Sequence, residues 1–205
     1  MFSLSLRLLV MFVLISPGCS HSPSETPTAP AQKDSAVTST TNANESKVYS
    51  TVLDGFRDRF GAQRLLILDE TTMGIVLPQS KPEDVVRFLR KRLPDGIAPD
   101  LVEEFRKKNE QPVKLGGGKF ASTVSYSIVN KQDEKLRGDW DEFYKNNPGA
   151  AIVQLSQVAF NEDASQALVY LSSNVGSRTG WGYYVFLTKN GEEWQIKNKE
   201  LAWVS

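Results

Sequence analysis

The clearest alternation of apolar and polar positions lies at the C-terminal end, from Ala151 to Ser205. AIVQLSQVAF, QALVYLSS, GWGYYVFLT and EEWQIKN, with a closing LAWVS, read as strands separated by turn-forming clusters. Between the third and fourth stands Lys189-Asn190-Gly191-Glu192, which predicts a tight hairpin. Asn190 and Gly191 would be the central residues of a type I′ turn, both in the left-handed region that Asn tolerates and Gly adopts freely. The expectation is a continuous antiparallel meander. Trp181, Tyr183, Val185 and Leu187 share one face, and Trp194 and Ile196 pair across from them.

Upstream the period changes. Val48, Val52, Leu53, Phe56 and Phe60 recur at helical spacing, with Gly61 as the stop. Arg64 to Asp69, centred on LLIL, reads as a buried strand. Ser80-Lys81-Pro82-Glu83 has the form of a capping box opening a helix through Leu93, which Pro94-Asp95-Gly96 breaks. Asp100 is the expected cap of a third helix ending near Lys108. Gly116-Gly117-Gly118-Lys119 leads into a predicted strand, Phe120–Val129, with Phe120, Val124, Tyr126 and Ile128 on one face. Leu136, Trp140, Phe143 and Tyr144 form the stripe of a fourth helix, ended by Asn147-Pro148-Gly149. The fold class is α+β: N-terminal helices plus a C-terminal twisted antiparallel β-meander in a single globular domain, residues 47–205.

The first 46 residues have a different character. Arg7, the apolar run LLVMFVLI and then Ser16-Pro17-Gly18-Cys19 have the layout of a signal peptide over residues 1–19. The apolar run is shorter than the roughly 20 residues that a spanning helix needs. Gly18-Cys19 resembles the lipobox of bacterial lipoproteins, whose cysteine is acylated and becomes the new N-terminus. Ser16 and Pro17 depart from that pattern, and cleavage after Ser20 by an ordinary signal peptidase is the alternative. The resemblance implies lipid attachment at Cys19 and a protein held on the periplasmic or extracellular side of a membrane, as against a soluble periplasmic or secreted one. Residues 20–46, rich in Ser, Thr, Pro, Ala and Asn, read as a disordered linker.

Charge and chemistry narrow the function. Lys plus Arg and Asp plus Glu are equal at 24 each, so no bulk field attracts nucleic acid. The one cysteine, Cys19, and the one histidine, His21, both precede the domain. Cys–His and Ser–His–Asp catalysis, zinc sites built on Cys or His, and disulfides are therefore excluded from it. Neither a metal nor a cofactor is expected. The glycine run fails the P-loop pattern, because Val113 stands where the first Gly is needed and Phe120 follows Lys119. Arg87, Arg90, Lys91, Arg92, Arg106, Lys107 and Lys108 read as solvated helix faces, with Glu83–Arg87, Glu103–Lys107 and Glu104–Lys108 as pairs one turn apart.

Three groups remain as candidates. Asp69-Glu70-Thr71 ends the buried strand, but adjacent strand residues point to opposite faces, which favours a turn over a paired-carboxylate site. Asn161-Glu162-Asp163 is a hydrophilic turn without calcium-loop spacing. Ser172 to Gly180 reads as a loop carrying Arg178 into Trp181 and Tyr184, a candidate surface for a carboxylate, a glycan or a peptide. The competing reading has Trp181 and Tyr183 in the core and Arg178 in solvent.

Trp140-x-x-Phe143-Tyr144, Pro148-Gly149, Ser156-x-Val158-x-Phe160-Asn161, Ala167-Leu168-Val169-Tyr170, Gly180-x-Gly182-Tyr183-Tyr184, Trp194-x-Ile196 and Trp203-Val204-Ser205 form an extended pattern. It resembles a family of bacterial secreted, lipoprotein-like proteins that carries no assigned activity. At fold level only, the order of elements is similar to NTF2-like domains, which host both enzymes and inert binding modules. The expectation is an exported, lipid-anchored envelope protein acting as a non-enzymatic binding module, with an envelope protein or a small ligand as partner. The alternative is a small-ligand or carboxylate-dependent hydrolytic site on an NTF2-like scaffold.

Overall fold

Among the described residues, a mixed sheet of seven strands carries four helices. The computed structural model describes residues 43–74, 81–116, 119–136 and 139–205. In chain order the elements are α1 (Ala43–Gly55), β1 (Arg64–Leu68), α2 (Pro82–Arg92), α3 (Leu101–Lys108), β2 (Tyr126–Val129) and α4 (Trp140–Asn146). They are followed by β3 (Ala150–Leu155), β4 (Ala159–Phe160), β5 (Gln166–Gly176), β6 (Thr179–Asn190) and β7 (Glu193–Val204). The sheet order is β2-β1-β3-β5-β6-β7, with β4 on β5. β5, β6 and β7 make the expected meander, and the run EEWQIKN and the closing LAWVS are one strand. The N-terminal half adds something not expected: β1 pairs in parallel with both β2 and β3. Parallel neighbours need a crossover, and α2, α3 and α4 supply the connecting segments.

Strand alternation sorts the side chains onto the two faces of the sheet, where they form three clusters. Leu65, Ile67, Ala151, Val153, Val169, Leu171, Trp181, Val185 and Leu187 face α1, meeting its Val48, Val52 and Leu53. Leu168, Tyr170, Tyr184 and Phe186 face the other way, toward Val85 and Leu89 of α2 and Leu101, Val102 and Phe105 of α3. Leu66 and Ala150 carry Phe143 of α4. A sheet covered on both faces needs strands without a polar side, which is why LLIL, ALVYL and YYVFL run unbroken.

Several local expectations change in detail. α1 begins at Ala43, so Asn44-Glu45-Ser46 belongs to the helix rather than the linker, and Glu45 reaches Lys108 at 3.5 Å. The N-terminus of α2 is closed by Asp84, whose Oδ2 accepts from the Lys81 N–H at 3.0 Å; Ser80 lies outside the described residues. Asp100 precedes α3 but makes no side-chain capping bond. The basic residues find other partners: Arg87 pairs with Asp84, Arg90 with Glu103, and Arg106 with Glu103 and Glu110. Phe120 to Ser125 is irregular, with only Tyr126–Val129 as strand. Its face is nevertheless as expected, since Phe120, Val124, Tyr126 and Ile128 all join the α1-side core.

The strand expected from Ala151 to Phe160 breaks at Ser156-Gln157-Val158. Leu155 sits opposite Leu171 and Ala159 opposite Leu168, so this side carries one residue more than its partner, a bulge. Tyr49 donates to the Ser156 carbonyl at 2.9 Å, and the Tyr170 N–H donates to Ser156 Oγ at 2.8 Å. Lys108 at the end of α3 donates to the Val158 carbonyl at 2.9 Å.

The last hairpin turns one residue later than expected. Asn190 pairs with Glu193, leaving Gly191 and Glu192 as the loop, and Gly191 alone takes φ +59°. One left-handed residue at the first loop position is the pattern of a type II′ turn, not I′.

Candidate functional site

Arg178, Trp181 and Tyr184 do not share a surface. There is no long loop: β5 continues to Gly176, β6 starts at Thr179, and Arg178 is exposed at the tip of a tight hairpin. Ser172 and Ser173 are buried strand residues, opposite Gly182 and Trp181. Trp181 is buried on the α1 side, stacked on Phe56 with centroids 5.4 Å apart. Tyr184 is fully buried on the opposite side and donates to the Gly74 carbonyl. The reason is β-alternation, which sends residues three apart to opposite faces. Trp203 of β7 lies against Gly180 and Gly182 and donates to Tyr170 Oη at 2.6 Å, so the two glycines serve a close approach.

Asp69, Glu70 and Thr71 form a clasp between loops. Lys114 donates to Asp69 Oδ2 at 2.8 Å and the Lys131 N–H to Oδ1 at 3.0 Å, while Lys131 Nζ takes Glu70 at 2.6 Å. Thr71 is buried and accepts from the Val113 N–H at 2.9 Å. Burial works to raise the Asp69 pKa, but these donors outweigh it and hold the carboxyl below its ordinary value. Asn161-Glu162-Asp163 is a turn, closed by the Ser165 N–H on Asp163 Oδ1 at 2.9 Å.

One concavity was not singled out in the sequence. A cleft of about 500 Å³ lies between α1, the segment around Lys119 and the β6–β7 hairpin. That volume is in the range of small-ligand sites. Lys47, Ser50, Thr51 and Asp54 are spaced to lie on one polar stripe of α1, beside the apolar stripe of Val48, Val52 and Leu53. Trp194, the second residue of β7, forms the opposite wall. It is buried, packs on Phe160 with centroids 5.5 Å apart, and its indole N–H, buried too, has no hydrogen-bond partner among the described residues. Buried polar groups are paired in the great majority of cases, and this donor is an exception.

Charge in the cleft is partly tied. Lys47 Nζ meets Glu192 Oε2 at 3.2 Å across the mouth and holds that carboxyl below its ordinary pKa. Asp54 Oδ1 accepts three hydrogen bonds, from Ser122 Oγ at 2.9 Å, the Thr123 N–H at 2.8 Å and Thr123 Oγ1 at 2.6 Å. Burial raises its pKa, and these bonds together with Arg57 outweigh that and hold the carboxyl below its ordinary value. Lys119 lines the cleft and makes no ion pair among the described residues. The sequence signals that could have found the cleft are the polar stripe of α1 and a tryptophan directly after a hairpin turn.

Comparison of the chain with protein-family models, with curated proteins and with solved structures gives no match. Among the described residues, no helix is long and apolar enough to cross a membrane, and no group of three or more His, Cys, Asp or Glu could hold a metal ion. Cys19 and His21 lie outside the described residues.

Proposed function

We propose that this is an exported, lipid-anchored envelope protein whose folded domain is a non-catalytic binding module, and that the cleft between α1 and the β6–β7 hairpin takes its ligand. The observation that carries the reading is the cleft itself, of ligand size, with Trp194 in one wall and the polar stripe of α1 in the other. The ligand it suits is small, with a flat or branched apolar body for the indole and polar groups at its edge. Polar contacts come from Lys119 and the Lys47–Glu192 pair at the rim. The carboxylates with shifted pKa, Asp54, Asp69, Asp84, Asp163 and Glu192, are all lowered. A general acid needs the opposite shift, which favours binding over hydrolysis.

Two experiments test the reading. An aromatic-acceptor fragment library is titrated while the Trp194 indole ¹H–¹⁵N resonance is observed, with Trp194→Phe as the assignment control. Saturable shifts of that resonance are expected, and hits that leave it unmoved would remove the cleft from consideration. For the anchor, the wild type should enter the detergent phase on phase separation and Cys19→Ala the aqueous phase. Equal partition of both sinks lipid attachment.

A further inference from the structure

A second cavity, of about 240 Å³, lies at the C-terminal end of α1 against β6 and β7, and it has a different chemistry from the cleft. Lys199 Nζ stands 4.2 Å from the centroid of the Phe56 ring, and the Arg59 guanidinium 4.8 Å from that of Tyr183. The two rings are themselves 5.3 Å apart, so two cations stand on adjoining aromatic faces at one cavity. Lys199 is fixed further by donating to the Gly55 carbonyl, at 2.5 Å, at the end of the helix where the dipole favours a cation. Arg57 also lines the cavity.

Among the described residues none of these three cations is in an ion pair. The two carboxylates on the lining do not close the gap. Asp54 Oδ1 faces the Ser122–Thr123 turn, and Asp58 is exposed and pairs with neither Arg59 nor Lys199. Asp54 attracts Arg57, whereas Arg59 and Lys199 are ion-paired with neither carboxylate of the lining and repel each other, and the Lys199 pKa is lowered, first by burial and then by Arg59. An anion between them would remove that repulsion.

We propose that this cavity binds a phosphate group, with Arg59 and Lys199 as its direct partners and Arg57 at the rim. A fork of guanidinium donors beside a point-charge ammonium matches a tetrahedral oxyanion carrying up to two charges better than a planar carboxylate. The phosphate is that of a lipid headgroup or of a free phosphorylated solute. The site does not depend on any ligand in the Trp194 cleft.

The test is titration of the full chain, carrying Cys19→Ala to remove any acyl anchor, with inorganic phosphate at low ionic strength. The backbone ¹H–¹⁵N resonances of Gly55, Arg59 and Lys199 report binding. Saturable shifts are expected, weakened about ten-fold in Lys199→Met and in Arg59→Gln and retained in Lys199→Arg, with thermal unfolding checking that each variant folds. Shifts that do not saturate, variants that titrate like the parent, or acetate binding as tightly as phosphate would each overturn the proposal. Flotation with phosphatidylcholine vesicles, with and without phosphatidylglycerol, then separates the sources. Co-flotation that phosphate and Lys199→Met both abolish assigns the headgroup, and phosphate binding without flotation assigns the solute.

Discussion

Asn109 meets the backbone of Gln157 with both ends of its amide. Its Oδ1 accepts from the Gln157 N–H at 2.8 Å, and its Nδ2 donates to the Gln157 carbonyl at 3.2 Å. Nδ2 also reaches the Phe105 carbonyl at 3.0 Å. A side chain thus does for the bulge between β3 and β4 what a neighbouring strand would do for a regular one. Asn109→Ala leaves those backbone groups without partners and should cost about 2–3 kcal/mol, read as a fall in the urea midpoint at unchanged slope. Asn109→Asp keeps the acceptor but buries a charge, and should be no milder.

A Cβ at Gly182 would meet the Trp203 indole and the Tyr170 hydroxyl. Gly182→Ala places a methyl against both and should break the Trp203–Tyr170 hydrogen bond. The expected loss is about 1–3 kcal/mol with a change in Trp near-UV dichroism. A variant as stable as the parent would mean that Trp203 does not lie over this glycine.

The late turn of the β6–β7 hairpin can be told from the early one by two substitutions. Gly191, at φ +59°, has open space where a Cβ would go, so Gly191→Ala carries only backbone strain, about 1–2 kcal/mol. Asn190 closes the ladder opposite Glu193, and Asn190→Ala should stay within about 0.5 kcal/mol. A type I′ turn centred on Asn190 and Gly191 would make both costly, and thermal melts separate the cases.

Asp54 predicts part of the acid limb of stability. Its folded pKa lies below the ordinary aspartate value of 3.8, so it stabilises the fold above that value. The contribution is lost as pH falls from 3.8 through the lowered folded value. Urea midpoints measured from neutral pH downward should fall less steeply in that window for Asp54→Asn than for the parent. Parallel curves would show that the three hydrogen bonds to Asp54 add no pH-dependent stability.

What was legible in the sequence is what neighbouring residues encode. The α1 stripe, the strand at Leu65–Leu68, the shared face of Phe120, Val124, Tyr126 and Ile128, and the three-strand meander all follow from local period. The two parallel pairings of β1 do not, because nothing near residue 65 states that its neighbours are Tyr126 and Ala151. The turn register was hidden for a different reason. Moving the turn by one residue slides the pairing by two, so Trp194 points to the same side whether it faces Leu187 or, as it does, Lys189. For the candidate site, Arg178 and its aromatics looked like a loop because Ser172, Ser173 and Asn174 are polar. Gly180 and Gly182 across from them admit Trp203 and make those polar residues strand. The cleft was invisible because it joins Lys47 to Glu192, which are 145 residues apart.

That separation also governs how the chain can acquire its structure. α1 and β1 are made first, yet α1 packs against β7 and β1 lies between β2 and β3. Until residues beyond Glu193 emerge, the earliest helix lacks part of its seat, and the apolar LLIL strand has no partner until Tyr126–Val129 emerges and lacks its second until Ala150–Leu155 does. Such a chain accumulates exposed apolar segments through most of its synthesis and closes late, in a slow step dominated by distant pairings.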